Sequence, residues 1–149
     1  LKAARQDEGA RLAPVLDGFL ARIADLTTQG RAEADAQTSA IRVRFAKRVA
    51  ELTDDAAGLE DRVFQEAAMQ AARADVREEV DRLDAHTASA RALLAGGGAV
   101  GRRLDFLSQE FMREANTLCS KAATLPLTTA GLDLKAVIEQ FREQIQNVE

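Results

Sequence analysis

Apolar residues recur along this chain at steps of three and four, the period of a helix that buries one face. In segment 9–27 they fall at Leu12, Leu16, Phe19, Ile23 and Leu26, with Pro14 near the start as a kink or restart. The stretch from Gln29 to Ala40 is small and polar, which predicts a loosening with Gly30 as a C-cap. The pattern resumes at Ile41, Phe45, Val49 and Leu52, and Thr53-Asp54-Asp55 offers N-cap chemistry for the next element. One long helix is expected from about 55 to 95, burying Leu59, Val63, Val76, Val80 and Leu83 and stopped by Gly96-Gly97-Gly98. A further helix covers 101–121, around Leu104, Leu107, Phe111 and Leu118. Thr124-Leu125-Pro126 breaks the chain before a last helix at about 128–148, with Leu134, Ile138, Phe141, Ile145 and Val148 inward.

Strand signals are nearly absent. Tyr and Trp are missing, and Ala, Arg, Glu and Leu dominate. The reading is an all-α protein of long antiparallel helical hairpins with a shorter C-terminal helical bundle. At 149 residues it fits one domain with a real core, and 46% hydrophobic with 30% charged residues are globular values. No apolar run reaches the length of a membrane span. The single cysteine, Cys119, excludes an internal disulfide and a cysteine-rich zinc site, so a cytoplasmic location is expected. The net charge of −4 gives no global attraction for nucleic acid. The excess acid sits in segment 60–86, whereas 101–121 is weakly positive.

The helices carry polar ridges beside their apolar seams. On 101–121, Asp105, Gln109, Arg113, Asn116 and Ser120 run together, flanked by Glu110, Glu114, Thr117 and Lys121. On the long helix, Asp75, Glu79, Arg82 and His86, the only histidine, share a face. On the last helix, Lys135, Glu139, Arg142 and Gln146 do so, with Glu143 beside them. Converging ridges would form a cleft of carboxylates, guanidiniums, amides and one imidazole. Carboxylate clusters take Mg²⁺ or Mn²⁺, arginines hold phosphate, and an imidazole moves protons near neutral pH. The same i, i+4 acid–base spacing is also ordinary helix-surface chemistry, worth about 0.3–0.5 kcal/mol per pair.

Four blocks narrow the choice. Arg77-Glu78-Glu79-Val80-Asp81-Arg82-Leu83-Asp84-Ala85-His86, Gly101-Arg102-Arg103-Leu104-Asp105-Phe106-Leu107-Ser108-Gln109-Glu110, Arg113 to Lys121 and Arg142 to Glu149 resemble, in order and spacing, the C-terminal half of the YicC-like family. Met112 departs from its pattern, where many relatives have Asn.

The resemblance implies a cytoplasmic endoribonuclease that depends on a divalent metal, assembles as a hexamer and clamps structured RNA. It also implies a β-rich N-terminal domain. With a chain that opens on Leu1, residues 1–149 are expected to be the C-terminal helical domain of a longer protein. Glu79, Glu110 and Glu114 are the expected ligands of Mn²⁺ or Mg²⁺, and His86 the proton-transfer group. Arg82 and Arg113 would hold the reacting phosphate. Arg102, Arg103, Lys121, Lys135 and Arg142 would bind RNA. Asp105, Gln109, Asn116 and Glu143 would orient these groups. The alternative is a non-catalytic helical module that self-associates or clamps RNA, its polar ridges fixing helix register, with activity requiring the missing domain.

Overall fold

A computed structural model describes residues 2–51 and 57–147, with side chains from residue 9 onward except at 57 and 59. It is all-α. The elements are α1 (Lys2–Glu51), α2 (Ala57–Arg73), α3 (Arg77–Gly96), α4 (Gly101–Lys121) and α5 (Leu125–Gln146). The caps expected of Thr53, Asp54 and Asp55 and the burial of Leu52, Leu59 and Val148 lie outside the described residues and side chains.

The first correction concerns α1, which is one helix of 50 residues rather than two pieces. At the helical rise of about 1.5 Å per residue it is roughly 75 Å long. Pro14 lies inside it on an exposed face, so the Ala10 carbonyl that loses its amide partner faces water. Gly30 does not end it. Leu16, Leu20, Ile23, Thr27, Gly30, Ala34, Gln37 and Ile41 are all buried at alternating steps of four and three. The seam runs straight through the polar stretch in small residues. A Cβ on Gly30 would stand 3.9 Å from Leu118 Cδ1, so this is a packed face and not a cap.

The second correction concerns the expected helix 55–95, which breaks at Ala74–Val76 into α2 and α3. Two side chains account for the break. The Gln37 amide, 1% exposed, donates to the Ala74 carbonyl at 2.9 Å, while its oxygen accepts from the Ala123 amide at 2.6 Å. One buried residue of α1 thus satisfies backbone groups at two breaks between helices. Asp75 accepts from the backbone amide of Arg77 at 3.0 Å and so caps the start of α3.

The other boundaries follow the local chemistry. Gly97 and Gly98 take φ of 67° and 86°, a left-handed turn that favours glycine. Pro126 does not break the chain but sits in the first turn of α5, where its missing amide costs nothing.

The N-terminal part of α1 packs on α3 and α5, and α4 packs on the same two helices, giving a four-helix bundle. Its core holds Leu20, Ile23, Leu83, Phe111, Leu134, Ile138 and Phe141, all fully buried. Phe111 and Phe141 meet edge to face, with ring centroids 6.0 Å apart. α4 and α5 approach so closely that a Cβ on Gly131 would stand 2.6 Å from Cys119 Sγ. α2 makes its substantial contacts with α1 alone, so it and the distal part of α1 form a two-helix arm beyond the bundle.

Candidate functional site

The seam between α3 and α4 is where charged side chains are buried. α3 presents Glu79, Arg82 and His86, and α4 runs antiparallel to it with Lys121, Glu114 and Glu110. Leu83 and Val80 on α3 and Phe111, Ala115 and Leu118 on α4 hold the helices together from the core side. The polar residues are thereby fixed at the rim.

At one level of this seam, His86, Glu110 and Glu114 each bring one ligand atom to within 4.8 Å of the other two. Glu114 is buried, its side chain 3% exposed, and the other two residues are half-buried. The His86 ring stands edge to face on Phe111, with centroids 5.9 Å apart. His86 Nε2 is buried without a hydrogen-bond partner. Arg82 donates to Glu114 at 3.4 Å and also pairs with Glu78 one turn earlier on α3. These two carboxylates, Glu114 foremost, hold the Arg82 guanidinium protonated beyond its ordinary range. Arg113 is mostly exposed, with its guanidinium 3.7 Å from Glu110.

Glu79 is not part of that group. Its carboxylate, 3% exposed, accepts from Lys121 Nζ at 2.7 Å, and the same ammonium donates to the Asp75 carbonyl at 3.2 Å. The structure therefore places the expected metal ligand Glu79 and the expected RNA contact Lys121 against each other. Together they tie the start of α3 to the end of α4. The register of the two helices puts Lys121, and not the two glutamates of α4, opposite Glu79.

The ridge of α5 meets α4 elsewhere. Arg142 Nε lies 3.9 Å from Asp105 Oδ1, and Gln109 donates to Asp105 Oδ2 at 3.1 Å. Asp105 and Glu114 sit on opposite sides of α4, about 180° apart at roughly 100° per residue. Of the three ridges, those of α3 and α4 come together, and that of α5 reaches only the far flank of α4. Among the described residues no contact joins Arg142 to His86 or Glu114. Asn116 and Glu143 are exposed, as are Arg102 and Arg103 at the start of α4. Lys135 is half-buried on α5, near Cys119, whose thiol is pushed up by burial. Met112 packs against the core cluster.

Two members of the site were not singled out by spacing. Glu78 completes the Arg82 clamp, and its i, i+4 relation to Arg82 was the available signal. Phe111 orients His86, which no sequence pattern reports because it is a contact between helices.

The model of the family described as "Endoribonuclease YicC-like, C-terminal" matches residues 30–149. The chain belongs to this family. It is 42% identical, over 99% of its length, to a probable endoribonuclease YicC of Haemophilus influenzae. It is 32% identical, over all of its length, to a probable endoribonuclease YicC of Clostridioides difficile. It covers 50% and 51% of these two proteins, so it spans about half the length of the curated relatives it matches. Within the described residues, the YicC-like blocks noted above fall on α3, α4 and the end of α5, which include both sides of the charged seam. No described helix is long and apolar enough to cross a membrane.

Proposed function

We propose that this chain is the metal-holding helical half of an endoribonuclease, with His86, Glu110 and Glu114 as the protein ligands of one divalent cation. The observation that carries the reading is the convergence of one ligand atom each from His86, Glu110 and Glu114 to within 4.8 Å of one another, with a His86 Nε2 that is buried and without a hydrogen-bond partner. A buried unpaired imidazole nitrogen is costly unless something fills the gap. One imidazole with two carboxylates leaves coordination positions for water and for a phosphate oxygen. The mixed nitrogen and oxygen set favours Mn²⁺ over Mg²⁺, which prefers oxygen ligands and keeps its waters. This reading moves His86 from proton transfer to metal binding and gives Glu79 a structural task.

A cation held there supplies an activated water and neutralises charge at the scissile phosphate. The chain's own residues do the rest. Phe111 fixes the ring plane of His86, and Arg82 holds Glu114 in place by a charge-assisted hydrogen bond. Exposed Arg113, with Arg102 and Arg103 at the start of α4, offers guanidiniums for phosphate oxygens of RNA.

The test uses the full-length protein. Mn²⁺ binding, read by the electron paramagnetic resonance of the free ion, is expected to weaken roughly ten- to a hundredfold in Glu114→Gln and in His86→Asn. Cleavage of a structured RNA should fall by at least about a hundredfold in both. Glu139→Gln, on the exposed face of α5, should change neither. Unaltered Mn²⁺ binding in Glu114→Gln with helicity retained would refute the site.

A further inference from the structure

Glu110 and Glu114 lie one turn apart on α4, and like charges at that spacing repel. Each has a guanidinium beside it. Arg113 stands 3.7 Å from Glu110, and Arg82 donates to Glu114 at 3.4 Å. A divalent ion on the same two carboxylates would be a positive charge among positive charges. The arginines therefore compete with it for the acids.

The two arginines differ in where they can go. Arg113 is mostly exposed and can turn into water. Arg82 is held in a fork. One of its terminal nitrogens donates to the buried Glu114, and the other donates to the exposed Glu78 one turn earlier on α3. The bond to Glu114 is long, since a charge-assisted N–H to carboxylate bond is ordinarily about 2.7–2.9 Å. A second anion thus shares the guanidinium with the ligand carboxylate.

The neighbouring acids of this stretch are taken. Arg77 holds Asp75, Lys121 holds Glu79, and Arg31 holds Asp81 and Asp84. Glu78 is the acid of α3 that pairs with Arg82, at the favourable i, i+4 order of acid before base.

We propose that Arg82 competes with the divalent ion for Glu114, and that Glu78 is the positioning residue that draws Arg82 off. The inference rests on the metal reading given above and adds to it the residue that sets how readily Glu114 is released. Glu78 touches none of the three ligand residues by hydrogen bond or ion pair among the described residues. It acts through Arg82. With Glu78 neutral, the guanidinium settles on Glu114 alone and holds it against the incoming ion. With Glu78 charged, Arg82 keeps a partner when Glu114 turns to the ion.

The experiment measures Mn²⁺ binding to the full-length protein, without RNA, by the electron paramagnetic resonance of the free ion. Glu78→Gln should bind Mn²⁺ about three- to tenfold more weakly, below the range for a group that contacts a ligand directly. Glu78→Asp keeps the charge one turn from Arg82 and should bind within about twofold of wild type. In an Arg82→Gln background, Glu78→Gln should add less than about twofold, because the residue through which it acts is gone. Asp81→Asn removes a charge from the same helix, on an acid that pairs with Arg31 and not with Arg82, and should also change affinity less than about twofold.

Equal Mn²⁺ affinity in wild type and Glu78→Gln would overturn the inference. So would equal losses from Glu78→Gln in the wild-type and Arg82→Gln backgrounds, or an equal loss in Asp81→Asn, since either would reduce Glu78 to a general negative field. These outcomes spare the metal group. Wild type that takes up no Mn²⁺, or Glu114→Gln that binds it as wild type does, would reject the metal group and this inference with it. Helicity is read for every variant. If Arg82→Gln loses it, the comparison of Glu78→Gln with Glu78→Asp and Asp81→Asn decides, because all three change exposed acids on α3.

Discussion

The bundle and the arm are built from the same helix, α1, yet they bury it very differently. In the bundle α1 presents Leu16, Leu20 and Ile23 to the core it shares with α3 and α5, and all are essentially inaccessible. In the arm it faces α2 alone, where Ile41 and Ala67 are buried while Val43, Phe64 and Met69 remain exposed. Burial of large apolar side chains contributes about 1.5–3 kcal/mol each, so the bundle holds most of the stability. The group of His86, Glu110 and Glu114 is placed where the fold is stiffest, against Phe111. Side chains that must converge on one point need that stiffness, whereas exposed surface groups do not.

The largest effect should come from Phe111→Ala. It removes a fully buried ring that contacts both His86 and Phe141, and should cost about 3–5 kcal/mol. Chemical denaturation of the whole transition reads it. Ile41→Ala, 6% exposed on the arm side, should leave that transition nearly in place and speed amide exchange in α2 and distal α1 only. Equal global losses in the two variants would mean that arm and bundle form one cooperative unit.

Lys121→Ala should have a smaller effect, about 1–3 kcal/mol, because it leaves the buried Glu79 carboxylate without the ammonium that hydrogen-bonds it. A double-mutant cycle with Glu79→Gln should recover much of the loss. RNA affinity in the folded variant should hold. A selective loss of RNA binding with stability preserved would return Lys121 to the substrate surface.

Much of this was legible in the chain. The all-α class, the limits of α4 and the glycine stop of α3 follow from periodicity and turn chemistry. Glu110 and Glu114 stood out as carboxylates one turn apart, with His86 as the lone imidazole. The continuity of α1 was hidden because Thr27, Gly30, Ala34 and Gln37 carry its seam, and burial of small or polar residues leaves little hydrophobic signal. The separation of Glu79 from the other glutamates was hidden for another reason. Spacing along one helix says nothing about the register of its partner, and that register decides that Glu79 meets Lys121. The break before α3 did leave a trace, since an Asp can accept the backbone amide two residues on, as Asp75 does from Arg77.

That break also supplies the smallest effect. The Asp75 carboxyl is lowered from its ordinary value of 3.8 to about 2, chiefly by the side-chain hydrogen bonds of Arg77 and then by the Arg77 backbone amide. A folded value below the unfolded one means that the unfolded chain binds the proton more readily. The contribution is therefore complete above about pH 4 and is lost as pH falls toward 2. Asp75→Asn keeps a side-chain acceptor for the cap but removes the charge. Urea melts of the two proteins should show a constant small gap from pH 7 to about 4 that closes between about 4 and 2. A gap that persists at pH 2 would mean that Asp75 acts through cap geometry alone. A gap that widens as the pH drops would place the lowered carboxyl elsewhere on the chain.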